Sequence, residues 1–83
     1  MAVRFTDHAR EKFEILARHK FVVTEAQVID ALNAPDKVET DRDPPVAQKG
    51  FDEEHVLRVV YRLEDVDKVV ITFYPGRRRR YED

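Results

Sequence analysis

Cysteine is absent from this 83-residue chain. That excludes a disulfide framework, a thiolate metal site and a thiol nucleophile, and it fits a cytoplasmic location. Long apolar runs are absent too. None approaches the roughly 18 residues of a membrane span, and the first ten residues lack the apolar region of a signal peptide. A soluble cytoplasmic protein without membrane association is therefore expected. There are no internal repeats, low-complexity tracts or interdomain linkers. One domain over residues 1–83 is expected, with a single core, because a chain this short buries only roughly 60–65% of its unfolded surface. Phosphate-binding loops, dinucleotide fingerprints, HExxH and GxSxG are all missing. His8, His19 and His55 show no ligand spacing, so no metal and no small-molecule cofactor are expected.

What remains is a chain that is 42% apolar and 39% charged, with a formal charge of -2. The charge is uneven. Residues 1–74 hold 11 basic and 15 acidic side chains, whereas the last nine hold four arginines against Glu82 and Asp83. Overall acidity argues against a generic nucleic-acid binder, whose domain is strongly basic. Arg77, Arg78, Arg79 and Arg80 argue for an anionic partner at one edge, or else for a solvated tail.

Thr6 is placed to cap a first helix from about Asp7 to His19, with Ala9, Phe13, Leu16 and Ala17 as its buried stripe. Thr24 and Gln27 read as a capping box, and Val23 and Val28 as its hydrophobic staple. Val28, Ile29 and Leu32 mark the apolar face of this second helix, which Pro35 stops. The period then becomes two. Weak strands are expected at Lys37–Arg42 and Val46–Phe51, and strong ones at His55–Glu64 and Lys68–Tyr74. The fold class is therefore α+β, with two N-terminal helices on one face of a four-stranded, mainly antiparallel sheet.

The last hairpin has a register that can be argued. Pairing residues 59 with 73, 61 with 71 and 63 with 69 keeps Leu57, Val59, Tyr61 and Leu63 beside Val69, Ile71 and Phe73. It leaves a three-residue loop at 65–67, with Glu64 opposite Lys68. The other face carries Arg58 with Tyr74, Val60 with Thr72, and Arg62 with Val70. Two helices cover one sheet face, so this second face is expected to be open to solvent and to run into the arginines, with Pro75-Gly76 ending the strand.

Arginine makes multidentate contacts with phosphate, and Tyr74 and Tyr81 can stack on bases. RNA cleavage through a 2'-hydroxyl needs a base, cations around the phosphate and a proton donor. His8 is the candidate base. Arg58, Arg62, Tyr74 and the terminal arginines are candidates for the other roles. Bland readings stand beside these: His8 as an exposed or capping residue, Arg58 and Arg62 as solvating or ion-pairing side chains, and Tyr74 as a phenol at the core's edge. Tyr61 reads as core, and His19 and His55 as surface residues.

Four stretches, "FTDHAREKF", "VTEAQVIDALNAPDKV", "HVLRVVYR" and "VVITFYPGRRRRYE", resemble a small prokaryotic family, domain of unknown function 4258. They span nearly the whole chain. The resemblance implies a relative of the RelE and BrnT toxins: a metal-independent endoribonuclease or RNA-directed domain, encoded beside a small antitoxin protein. By that likeness, His8, Arg58, Arg62 and Tyr74 would be catalytic. Thr72, Arg77, Arg78, Arg79, Arg80 and Tyr81 would bind RNA or the partner. The alternative is a non-catalytic binding module whose basic sheet face holds a protein partner or RNA.

Overall fold

The capping box sets the second helix as its spacing predicts. In the computed structural model, which describes residues 2–81, the Thr24 hydroxyl accepts from Gln27 N–H and the Gln27 side chain accepts from Thr24 N–H. Val23 and Val28 beside it are both buried. Thr6 caps the first helix by accepting from Ala9 N–H. The elements run β1 (Val3–Phe5), α1 (Asp7–Arg18), α2 (Glu25–Asn33), β2 (Lys37–Glu39), β3 (Val46–Gly50), β4 (His55–Glu64), β5 (Asp67–Arg77) and α3 (Arg78–Tyr81).

The α+β class holds, but the sheet has five strands among the described residues, in the order β1-β5-β4-β3-β2. The additional strand, β1, pairs parallel with β5, and the sheet is mixed. Three residues are too few to show a period of two, and the partner lies at the far end of the chain. A third, one-turn helix closes the described chain.

The β4–β5 register agrees with expectation at Arg58↔Tyr74, Val59↔Phe73 and Val60↔Thr72, then shifts by one between Val60 and Tyr61. Tyr61 faces Val70 and Glu64 faces Asp67, so the loop is two residues, with Asp65 at φ 55°. The tighter turn and the unpaired Ile71 offset each other, which is how a bulge absorbs one residue. The consequence falls on the core. Val70, rather than Val69 or Ile71, joins Phe73 in the central cluster, and Leu63 is 64% exposed. That cluster unites Leu16, Val28 and Leu32 with Leu57, Val59 and Phe73, and Phe13 packs 4.6 Å from the Phe73 ring.

Strand β5 also runs on through Pro75 and Gly76 to Arg77 instead of ending at Tyr74. Proline is tolerated in a strand on its unpaired edge, and β1 covers β5 only at Lys68, Val69 and Val70. The strand therefore delivers Arg77 opposite His55, the first residue of β4. No helix among the described residues is long and apolar enough to cross a membrane.

Candidate functional site

Arg58 is fully buried, contrary to the open face expected from the sequence. Its guanidinium donates four hydrogen bonds to three side chains. Nε donates to the Tyr74 hydroxyl at 3.1 Å, and Nη2 donates to Glu39 Oε1 at 2.8 Å. Nη1 donates to Glu39 Oε2 and to the Gln48 side-chain oxygen. The expected open face is roofed at this end by α3, which returns Tyr81 over the sheet. The Tyr81 ring centroid lies 4.1 Å from Arg58 Cζ. Its carbonyl accepts from Lys37 Nζ and Gln48 Nε2. The roof needs Gly76 beneath it, since a Cβ there would come within 2.6 Å of Tyr81 Cδ2.

The electrostatics follow from this packing. The Arg58 hydrogen bonds pull the Glu39 carboxyl down to about 2, against the opposing effect of burial, with Arg42 and Lys37 adding to the shift. For Arg58, burial disfavours the charge, but hydrogen bonds to Glu39 and Tyr74 outweigh it and push its pKa above the ordinary value. A charge bound this way is held by the fold itself.

The remaining candidates fall into separate places. His8 Nε2 lies 3.2 Å from Thr72 Oγ1, at hydrogen-bond distance, so those two are brought together. Thr72 is five residues from Arg77 along β5, which at strand rise is roughly 17 Å. His8 therefore stands well away from the arginine run. Arg62 is exposed and binds Glu64 at 2.7 Å. That contact, with Arg4 beside it, holds the Glu64 carboxyl below its usual range.

The arginine run divides by side chain. Arg78 is committed to the loop between β3 and β4. Its N–H donates to Glu54 O and its Nε to Asp52 O at 2.6 Å. Arg77 and Arg79 line two open clefts. One, of about 430 Å³, is shared with Pro75, Gly76, Arg80 and Tyr81. The other, of about 410 Å³, is shared with Glu53, Glu54 and Arg78. Elsewhere every arginine meets a carboxylate: Arg4, Arg10, Arg18, Arg42, Arg58 and Arg62. Among the described residues Arg77, Arg79 and Arg80 have no such partner.

One pair at this corner was not singled out by the sequence. His55 Nδ1 lies 2.9 Å from Asp52 Oδ1. That oxygen also accepts from the Glu54 and His55 N–H groups at 2.8 and 2.7 Å. Burial raises the Asp52 pKa, but these hydrogen bonds outweigh it and hold the carboxyl below its ordinary value. The spacing Asp-x-x-His just before a strong strand was the available signal. No protein-family model matches the chain, and neither curated proteins nor solved structures give a match.

Proposed function

We propose that this protein is a cytoplasmic, RNA-directed domain that grips the phosphates of single-stranded RNA at Arg77, Arg79 and Arg80. One observation carries the reading. Six arginines upstream each meet a carboxylate, while these three stand without one among the described residues, around an open cleft. Guanidinium groups without a carboxylate partner on an acidic protein are suited to an anion, and they match phosphate geometry. Tyr81 borders the same cleft and offers a ring for a base to stack on.

The finer reading is a RelE-like fold and a toxin-like, metal-independent endoribonuclease with a small antitoxin protein as its partner. It is supported by the sequence resemblance, by two helices on one sheet face and by a basic C-terminal turn on the other. A second reading has an observation of its own. Arg58 spends its charge on Glu39 and lies beneath Tyr81. That favours a non-catalytic module in which Arg77, Arg79 and Arg80 hold an acidic segment of a partner protein.

Titration of a labelled single-stranded RNA across a salt series tests the proposal. Three phosphate contacts should weaken binding by about 2 log units per decade of salt, at about 0.7 per contact. Replacing Arg77, Arg79 and Arg80 by Ala should flatten the slope and leave the melting temperature unchanged. RNA binding that ignores salt, or survives the triple substitution, overturns the reading. Co-expression with the product of the adjacent gene, scoring growth and RNA integrity, separates the toxin-like reading from the binding module.

A further inference from the structure

The cleft of about 410 Å³ is lined by side chains of opposite charge. Arg77 and Arg79 reach it from the end of β5 and from α3, Glu53 and Glu54 from the loop between β3 and β4. Arg78 ties the two walls together. Its N–H donates to Glu54 O at 2.9 Å, and its Nε donates to Asp52 O at 2.6 Å. Its guanidinium also lies against Gly50, where a Cβ would come within 2.6 Å of Nη2. The carboxylate wall is braced in turn, since Asp52 Oδ1 accepts from the Glu54 and His55 N–H groups. The walls are thus fixed, yet their charges do not close on each other. Among the described residues Glu53 and Glu54 form no ion pair and no side-chain hydrogen bond. The cleft's volume lies within the roughly 300–1,000 Å³ of small-ligand sites.

An RNA strand offers a group to each wall. Its phosphates suit the arginines. An ionised carboxylate repels phosphate, but it accepts hydrogen bonds from the donors of a base. In a single strand the Watson–Crick edge is free to be read. Guanine presents two adjacent donors there, N1–H and the N2 amino group, which match the two oxygens of one carboxylate. Adenine and cytosine set a ring-nitrogen acceptor beside their amino group, and uracil sets its one donor between two carbonyls. Each of these turns a lone pair towards the carboxylate. We propose that this cleft selects guanine, with the Glu53–Glu54 turn accepting from N1–H and N2 while the neighbouring phosphate rests on Arg77 and Arg79. This rests on the RNA reading above and adds a base preference to it. Arg77 and Arg79 line both clefts, so a phosphate held there borders the Tyr81 cleft and the carboxylate cleft alike.

The test titrates the full chain with a short oligouridine that carries one central guanosine. Matched strands carry adenosine or inosine at that position, and inosine keeps N1–H but lacks the N2 amino group. Wild type should bind the guanosine strand about tenfold or more tighter than the adenosine strand, with inosine in between. The Glu53→Ala/Glu54→Ala protein should bind all three strands alike. It should hold the adenosine strand at least as tightly as wild type does, because repulsion of phosphate is removed, and its melting temperature should be unchanged. A merely structural role would weaken binding to every strand. Equal wild-type affinity for the three strands overturns the inference and leaves the RNA reading standing. So does a guanosine preference that survives the double substitution. The inosine comparison needs no variant: inosine bound as tightly as guanosine removes the N2 contact and overturns the two-donor match. Absence of salt-dependent binding to any strand overturns the RNA reading, and the inference with it.

Discussion

Tyr81 lies over Arg58, with 4.1 Å between the ring centroid and Cζ, and the arginine beneath is inaccessible to solvent. The cation–π contact is desolvated, the setting in which such contacts reach about 2 kcal/mol. Tyr81→Ala should therefore destabilise the protein by about 1–2 kcal/mol in a denaturant melt, and Tyr81→Phe, which keeps the ring, by much less. Equal losses would show that the ring face contributes nothing.

Gly76 makes that contact sterically possible, and its substitution should act through the same ring. Gly76→Ala places a methyl where Tyr81 Cδ2 lies 2.6 Å away, so the ring must leave Arg58. Residues in contact are non-additive. In wild type the substitution should cost about as much as Tyr81→Ala. In a Tyr81→Ala background it should be nearly neutral. Full additivity in the double-mutant cycle would refute the clash.

Glu39 gives the fold an acid-sensitive joint. Its carboxyl ordinarily titrates at 4.5 and is held at about 2 here by Arg58. The folded-state value lies below the unfolded one. The stabilisation is therefore complete above about pH 4.5 and is lost as pH falls towards 2. Glu39→Gln should be less stable than wild type at pH 7 and should close the gap as pH drops through that window. A gap that stays constant from pH 7 to pH 2 would remove Glu39 as the source.

Phe73 has no exposure and contacts Phe13 across the helix–sheet boundary. Phe73→Ala should cost about 3–5 kcal/mol. A loss under about 1 kcal/mol by chemical denaturation would contradict its place in the core.

Local rules were legible in the sequence wherever one stretch carried both partners. Thr24 and Gln27 are three residues apart, and their capping box forms as spaced. The Arg58↔Tyr74 and Val60↔Thr72 pairs follow from alternation on two adjacent strands. What escaped needed a second, distant element. Val69, Val70 and Ile71 form an unbroken apolar run, so alternation gives no mark that singles out Ile71 as the bulge. Val3-Arg4-Phe5 becomes a strand only because Lys68, Val69 and Val70 lie beside it. Arg58 is buried because Glu39, on a weak polar strand, and Tyr81, beyond the last strand, converge on it. Of the site, the arginine run was visible as composition, while the division between committed Arg78 and its neighbours required the β3–β4 loop to be in place.

The parallel seam between β1 and β5 also governs kinetics. It joins residues 65 positions apart, as in the bond from Ala2 N–H to the Asp67 carboxylate. Closing a loop of that length costs roughly 4 kcal/mol of chain entropy before the first ladder bond forms. The β4–β5 hairpin, closed by two residues, needs only microseconds. β1 should accordingly dock after the barrier is crossed. Substituting Val3 or Phe5 by Ala should then speed unfolding and leave the folding rate nearly unchanged, which stopped-flow chevrons would read directly. The three-residue strand then governs how long the native state survives each opening, while the hairpin governs how soon it is reached.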